Sequence, residues 1–557
     1  MRKTNEYSKK NRKKKYLKRG FEMRIKEFRN KLSKVTLGLL SAAFIGAAAG
    51  NVVTVKAADA GVQAVTTAAA AYDGEQMATT TAQGETGIQK STEQEAYEIT
   101  NTTTAEGTGQ GNNQNATGTA GNDQSTSTQG NLATTEQQET TKQKATTAQQ
   151  VTTTTKAAIK KEDREFVKIP EGEEFKAVWI SFIDFEREDK EGNKIDTGYT
   201  EEEFTAHVTE MFKKCKDWGM NAVVVHVRPF GDAFYPSKYY PWSKYVSGKQ
   251  GVDPGYDPLE IMIEKAHELG LQFHAWLNPY RVANDTDISA LSKDNKAKKW
   301  LSDFSTSNDR YVLQIGGKTY YNPSIAAVRT LVVNGVKEIV RNYNVDGIHF
   351  DDYFYPSLGT NYKGVFDYKE YNTYKANKIK AGVKSYYSII SWRRYNVSQL
   401  VKRVYSAVKD IDEDVVFGIA PQGNMANLYE SSANYCDVKK WMNNKGYVDY
   451  LCPEIYWGFR QPTVAFNVCL HQWLDAKKAT SDVKLYIGIP TYRAGIKFSN
   501  EPDFKDNKYL LADMLTFARG VDGGGKVDGF IFYDYKSFEE RTAAKTFITN
   551  MLKVLNK

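Results

Sequence analysis

The strongest constraint on what this chain can fold into is an alternation running from residue 166 to its end at 557. Short runs rich in β-branched and aromatic residues are each followed by a longer stretch with apolar residues at helical spacing. Parallel strands need crossover connections, and a helix is the usual one, so the alternation reads as repeated βα units. Eight strands are expected, at 175–183, 221–228, 271–277, 345–351, 415–420, 448–454, 485–490 and 529–533. Helical patterns lie between them at 201–218, 259–269, 324–343, 397–409 and 509–518, with Gly219 and Gly270 standing where helix C-caps belong. Eight such units in one stretch predict a (β/α)8 TIM barrel with long βα loops over residues 166–557. A doubly wound open sheet would show a glycine-rich phosphate turn after an early strand, and none is visible.

Upstream of 166 the chain changes character twice. Residues 1–34 hold 15 Lys/Arg and 3 Asp/Glu, a net of +12; the whole chain has 75 and 67, so the remainder holds 60 basic and 64 acidic residues, or −4. The excess positive charge belongs to the leader, and a nucleic-acid-binding face on the folded part loses its compositional support. Residues 35–50 are apolar and rich in Ala and Gly, and Val55-Lys56-Ala57 offers small residues at the −3 and −1 places of a signal peptidase site. That order reads as a secretory signal, and the apolar stretch is short for the ~20 residues of a membrane-spanning helix. Residues 1–57 are therefore expected to direct export, either cleaved near Ala57 or kept as a signal anchor, which would be the only link to a membrane. Residues 58–165 are dominated by Thr, Ala, Gln, Gly and Asn and contain just two of the chain's 70 aromatics, Tyr72 and Tyr97. So little apolar surface cannot offset the entropy of ordering, and a disordered low-complexity stalk is expected. Cys215, Cys436, Cys452 and Cys469 show no CxxC spacing and read as small buried apolar side chains.

In a TIM barrel the C-terminal ends of the strands carry function. Those ends here are rich in acids and aromatics: Asp232, Tyr235 and Trp242 after the second strand, His274 through Asn278, Tyr280 and Arg281 after the third, and His349, Asp351, Asp352 and Tyr353 after the fourth. Glu454, Tyr456 and Trp457 follow the sixth strand, Tyr492 the seventh and Asp534 the eighth, with Arg228 closing the second. Aromatic faces stack on sugar rings, while carboxylates, Asn and Arg bind hydroxyls in a partly dry groove. Glycosidic cleavage needs two carboxyl groups across the scissile bond. Asp351, Asp352 and Glu454 are the candidates for that chemistry, and Arg228, Asp232, Tyr235, Trp242, His274, Asn278, Tyr280, Arg281, His349, Tyr353, Tyr456, Trp457, Tyr492 and Asp534 are candidates for holding a polysaccharide. Side chains alternate along a strand, so Asp351 and Asp352 cannot face the mouth alike; one reacts and the other braces it. The strand histidines offer no helical ligand pair, and neither metal nor cofactor is expected.

At these residues the chain resembles the glycosyl-hydrolase-like ten family, formerly the DUF187 group. The resemblance rests on Asp346-Gly347-Ile348-His349-Phe350-Asp351-Asp352-Tyr353, on Trp392-Arg393-Arg394-Tyr395-Asn396, on His274 through Arg281, on Tyr321-Asn322-Pro323 and on Glu454-Ile455-Tyr456-Trp457. It implies an exported barrel, and for one branch a divisome-associated glycosidase that cuts peptidoglycan strands stripped of their peptides, with cell-wall or division proteins as partners. The chain departs from the family pattern at Glu454, where Gln is frequent, and at the fifth-strand exit Ala420-Pro421-Gln422-Gly423-Asn424. The order Asp346, Gly347, Asp351 is also similar to the fourth strand of family 18 chitinases, but Tyr353 stands where their acid would fall, so a substrate-assisted mechanism gains no support. Two functions from different classes follow: a secreted glycoside hydrolase with Asp351 or Asp352 as nucleophile or stabiliser and Glu454 as acid/base, or a non-catalytic glycan-binding barrel serving as an envelope scaffold.

Overall fold

The computed structural model describes residues 156–188, 194–303, 310–429, 434–520, 526–539 and 542–557. The expected leader and most of the expected stalk lie outside them. Eight parallel strands close into a barrel: β1 (Phe175–Ile180), β2 (Ala222–Arg228), β3 (Gln272–Leu277), β4 (Gly347–Asp351), β5 (Val416–Ala420), β6 (Tyr450–Leu451), β7 (Lys484–Pro490) and β8 (Gly529–Tyr533). Each pairs with its sequence neighbours, and β1 also pairs with β8 in the register Phe175↔Gly529 through Val178↔Phe532. A Cβ on residue 529 would lie 2.2 Å from the Phe175 carbonyl oxygen, so this seam requires glycine.

The crossovers include α1 (Glu201–Asp217), α2 (Pro258–Glu268), α3 (Ala326–Asn342), α4 (Ile389–Lys409), α5 (Phe466–Ala476) and α6 (Leu510–Ala518), and α7 (Lys545–Leu555) follows the last strand. α1 begins in a capping box between Thr200 and Glu203 and buries Phe204, Val208, Met211, Phe212 and Cys215, one face at 3.6 spacing. α2 begins with Asp257 as cap and Pro258 in its first turn. These faces pack on the outward side chains of the strands, such as Val223, Val225, Ile348 and Phe417, as one continuous outer core. All four cysteines are buried and unpaired within the described residues.

The strand interior is a second, smaller core of Phe175, Ala177, Trp179, Val224, Trp276 and Tyr450 with their neighbours. It is threaded by one directional chain of hydrogen bonds. Trp179 Nε1 donates to His349 Nε2 at 3.1 Å, His349 Nδ1 meets the Tyr450 hydroxyl at 2.9 Å, that hydroxyl meets His274 Nδ1 at 3.1 Å, and His274 Nε2 meets Gln272 Oε1 at 3.2 Å. Burial drives both imidazoles toward the neutral form, His274 down to about 4 and His349 well below the ordinary value with the charge of His274 adding to it. A neutral ring has one proton, so each tautomer is set: His349 donates through Nδ1, Tyr450 donates to His274, and His274 donates through Nε2. The Tyr450 ring occupies the space over Gly418, where a Cβ would lie 2.0 Å from it.

The opposite end of the barrel is pinned by a repeated device. The residue just before an even-numbered strand accepts the N–H of the strand before it: Asn221 from Lys176, Asp346 from Phe273, Asp449 from Phe417 and Asp528 from Leu485, at 2.7–2.8 Å. A one-residue slip would break all four bonds and turn every strand side chain to the wrong face.

Three features depart from the expected organisation. The stalk was expected to reach residue 165, yet Ile159 N–H donates to the Arg341 carbonyl and Arg164 forms a buried ion pair with Asp412 at 3.3 Å, so the ordered domain begins earlier. Between β3 and α3 a three-stranded antiparallel sheet intervenes (Arg281–Ala283, Lys318–Tyr321, Val312–Ile315). Between β4 and α4 stands the helix Tyr368–Lys380, in which no residue is buried. Among the described residues no helix is long and apolar enough to cross a membrane.

Candidate active site

Alternation along β4 puts Asp351 on the same inward face as Gly347 and His349. Its carboxylate accepts from Trp276 Nε1 at 3.3 Å and from the Tyr353 N–H at 3.2 Å. Asp352 turns aside and accepts the Gln422 N–H at the β5 exit at 2.9 Å, with the Asn434 amide beside it. Glu454 lies in the barrel wall past β6: its N–H donates to the Pro421 carbonyl, its own carbonyl accepts from Gly423, and it bridges Gln422 on one side and Gly488 on the other. Two strand exits, those of β4 and β6, thus present three carboxyl groups, with Gln422 of the β5 exit between them.

These carboxyls sense one another. Burial, then the charges of Asp352 and Asp351, hold Glu454 well above the usual carboxylate range, and no hydrogen-bond donor among the described residues supports its ionised form. Burial and then the Asp352 charge push Asp351 up strongly, against the pull of Arg281 and its two donors. Burial raises Asp352 only to about 6, because Asn434 and the Gln422 N–H favour its anion. The cluster keeps protons at neutral pH and concentrates its negative charge on the Asp351–Asp352 pair, leaving Glu454 a proton donor. An acid and a carboxylate set apart by environment are the equipment for general-acid chemistry.

Around the acids the mouth is aromatic. The Arg281 guanidinium lies 4.6 Å over the Tyr353 ring, and His226 stacks on Trp276 with centroids 3.3 Å apart. Across the mouth Tyr456 packs between Tyr492 and Tyr533, at 5.8 and 6.2 Å, and Trp457 is partly exposed. Tyr456 is held from behind: its carbonyl accepts from Arg493, which pairs with Glu501. Asn278 donates to the Pro229 carbonyl at 2.7 Å, and its buried side chain lies within hydrogen-bond reach of His226.

The structure brings Asp351, Asp352, Glu454, Asn278, Arg281, Tyr353, Tyr456, Trp457 and Tyr492 together at the mouth. It places the other expected residues elsewhere. His274 and His349 lie deeper, in the hydrogen-bond chain of the core. Arg228 would share the inward face of His226 by alternation, but a bulge shifts the register between them, so Arg228 aligns with Leu277 on the outer face and lies 4.4 Å over Tyr240. Asp232, Tyr235 and Trp242 are buried: Asp232 accepts from Gln250 at 3.0 Å, Tyr235 packs on Tyr343 with centroids 6.0 Å apart, Trp242 bridges back to Ala233, and the sheet meets this loop where the Gly231 N–H donates to the Val282 carbonyl. Tyr280 is fully buried against Phe354. Asp534 caps the short helix Tyr535–Glu539 by accepting the Ser537 N–H at 3.2 Å. Trp276, Gln422 and Tyr533 belong to the mouth without having been expected there, and so does His226, which reads from the sequence as a hydrogen-bonded strand histidine; the inward parity of Trp276 with Asn278 is a usable signal. Arg393 of the Trp-Arg-Arg motif is wholly buried, paired with Asp367 at 2.7 Å and bonded to the Tyr362 and Val365 carbonyls, so it anchors the loop that follows Asp352. No group of three His, Cys, Asp or Glu side chains among the described residues is arranged to hold a metal ion.

The model of the glycosyl hydrolase-like 10 family matches residues 174–506. Glycosyl hydrolase YngK of Bacillus subtilis (strain 168) is 35% identical over 367 residues, covering 62% of this chain and 67% of the relative. Glycosyl hydrolase DigH of Escherichia coli (strain K12) is 34% identical over 316 residues, covering 52% and 66%. The match thus spans about two thirds of the length of these relatives. Among solved structures, the glycoside hydrolase domain of PgaB (BpsB) from Bordetella bronchiseptica aligns with a TM-score of 0.41 at 11% identity, over 68% of this chain and 99% of that one.

Proposed function

Because the chain belongs to the glycosyl hydrolase-like 10 family, we propose that it is an exported glycoside hydrolase that cuts the glycan strands of bacterial peptidoglycan after their peptides are removed. The observation that carries hydrolysis is the gathering of three carboxyls, Asp351, Asp352 and Glu454, at the barrel mouth. Glu454 protonates the departing glycosidic oxygen. The negative charge of the Asp351–Asp352 pair stabilises or attacks the anomeric carbon, and Trp276 Nε1 and the Gln422 N–H hold the pair in place. Tyr353, Tyr456 and Trp457 offer faces to the sugar rings. The named relatives and the family description support the reaction class; the polymer is read from the family resemblance, and export from the basic, apolar and small-residue order of residues 1–57.

The acid role has its own test. Glu454→Gln is expected to lower kcat on natural glycan by about 10²- to 10⁴-fold, and by far less on an aryl glycoside whose leaving group needs no proton. Equal losses on both substrates would remove Glu454 from the role.

A further inference from the structure

The helix Tyr368–Lys380 and the turn after it use their residues unlike the rest of the domain. Among the described residues ten large hydrophobic side chains are exposed; five of them fall here, Tyr368, Ile379, Val383, Tyr386 and Tyr387, and a sixth, Tyr395, lies on the adjoining first turns of α4. Residues 376–388 are exposed without interruption. Surface this apolar on a segment that the other described residues leave uncovered marks an interaction site.

The segment is nonetheless ordered by its own aromatics. Tyr371 and Tyr374 pack on Trp392 with centroids at 5.5 and 5.8 Å, the Tyr371 hydroxyl donates to the Tyr387 carbonyl at 3.0 Å, and Tyr387 N–H donates to the Tyr374 hydroxyl at 3.1 Å. Its base is fixed by the Arg393–Asp367 pair. Exposed rings are thus presented on a preorganised support, which lowers the entropy lost on binding.

Charge selects the partner. Residues 368–388 hold five lysines (369, 375, 378, 380 and 384) and one acid, Glu370, a net of +4, whereas residues 35–557 together carry −4. Glu370 is taken by Arg310 through two bonds of 2.8 Å, so the lysines face no competing carboxylate on the segment. Rings for stacking interleaved with cations fit a polymer with sugar faces and regularly spaced anions.

We propose that residues 368–395 form a docking surface for an anionic glycan strand, separate from the catalytic mouth. The identity of the strand rests on the peptidoglycan reading: removing the peptide frees the lactyl carboxylate of each muramic acid residue, so the stripped strand carries the repeating negative charge this surface complements. The surface would hold long polymer while the mouth cuts it.

The test uses full-length protein carrying Glu454→Gln, so that binding is read without turnover, in co-sedimentation with insoluble peptide-stripped peptidoglycan. Lys375→Glu with Lys378→Glu and Lys380→Glu, and separately Tyr386→Ala with Tyr387→Ala, are each expected to weaken binding by about tenfold, the first strongly and the second weakly dependent on salt. The same polymer with its carboxyls converted to amides should bind the unsubstituted surface as weakly as the lysine variant binds the native polymer. In an otherwise wild-type chain the same substitutions should leave kcat on short soluble glycan fragments unchanged, which separates loss of docking from failure of the hydrolase reading. Equal binding by all variants, indifference to amidation, or tighter binding to anionic lipid vesicles than to the glycan would overturn the proposal.

Discussion

At Asp352 two influences oppose each other: burial lifts its pKa, and the Gln422 N–H and Asn434 restrain it at about 6. After burial, its charge is what holds the protons on Glu454 and Asp351. Activity should therefore rise through about pH 6 as the pair acquires its charge and fall at higher pH as Glu454 ionises. Asp352→Asn removes a negative neighbour of Glu454, so in the residual activity the alkaline limb should move down by about one pH unit; an unmoved limb would contradict the coupling. Asp184 makes a second statement about pH, this time on stability. Burial and the Asp534 charge raise it to about 7 while the Ser181 N–H and hydroxyl bond it. A folded-state pKa above the unfolded value of about 3.9 means the folded chain binds the proton more tightly, so this contribution is complete below about pH 4 and is lost as pH rises through 7. Asp184→Asn, still able to accept from Ser181, should gain melting temperature relative to wild type between pH 5 and 8. Asp351, Asp352 and Glu454 were legible in the sequence as strand-end acids, but so were Asp232 and Asp534, which are taken up by Gln250 and by the Ser537 N–H. Arg228 was misread because a single bulge, invisible in a residue pattern, turns it to the outer face.

At the scale of elements, the loop after β4 carries the two aspartates and is fixed from behind by Arg393. That guanidinium pairs with Asp367, donates to the Tyr435 hydroxyl and to two loop carbonyls, and is wholly buried. Arg393→Ala leaves Asp367 buried without its cation and should cost roughly 3–5 kcal/mol in chemical denaturation. Arg393→Lys should recover less than half of that, since an ammonium cannot reproduce the forked contacts; full recovery would show that charge alone holds the loop. The eight strands were legible because a parallel barrel buries both strand faces and demands near-continuous apolar runs. The sheet Arg281–Ala283, Val312–Ile315 and Lys318–Tyr321 was not, because its strands are short and lie inside what reads as one loop. The burial of Asp232 and Tyr235 was equally hidden, because it depends on partners distant in the chain, Gln250 for Asp232 and Tyr343 for Tyr235.

At the scale of the whole molecule, compositional reading set the domain start at residue 166, where aromatics return. The segment just before it is polar, and its ordering comes from specific partners: Lys156 pairs with Glu260, Ile159 bonds to Arg341, and Arg164 pairs with buried Asp412. Contacts of this kind depend on the barrel already being folded and leave no periodic trace in the sequence. A chain beginning at residue 166 strands Asp412 and should be less stable than one beginning at 156 by roughly 3–5 kcal/mol in denaturant titration; equal stability would make these contacts incidental.

The most direct test of the hydrolase reading is release of soluble fragments from peptide-stripped peptidoglycan by the purified chain, compared with its Glu454→Gln variant. The carboxyl trio predicts new reducing ends with the wild type and a loss of about 10²-fold or more with the variant. Binding of the glycan with no fragments from either protein would contradict it and leave the barrel a glycan-binding scaffold.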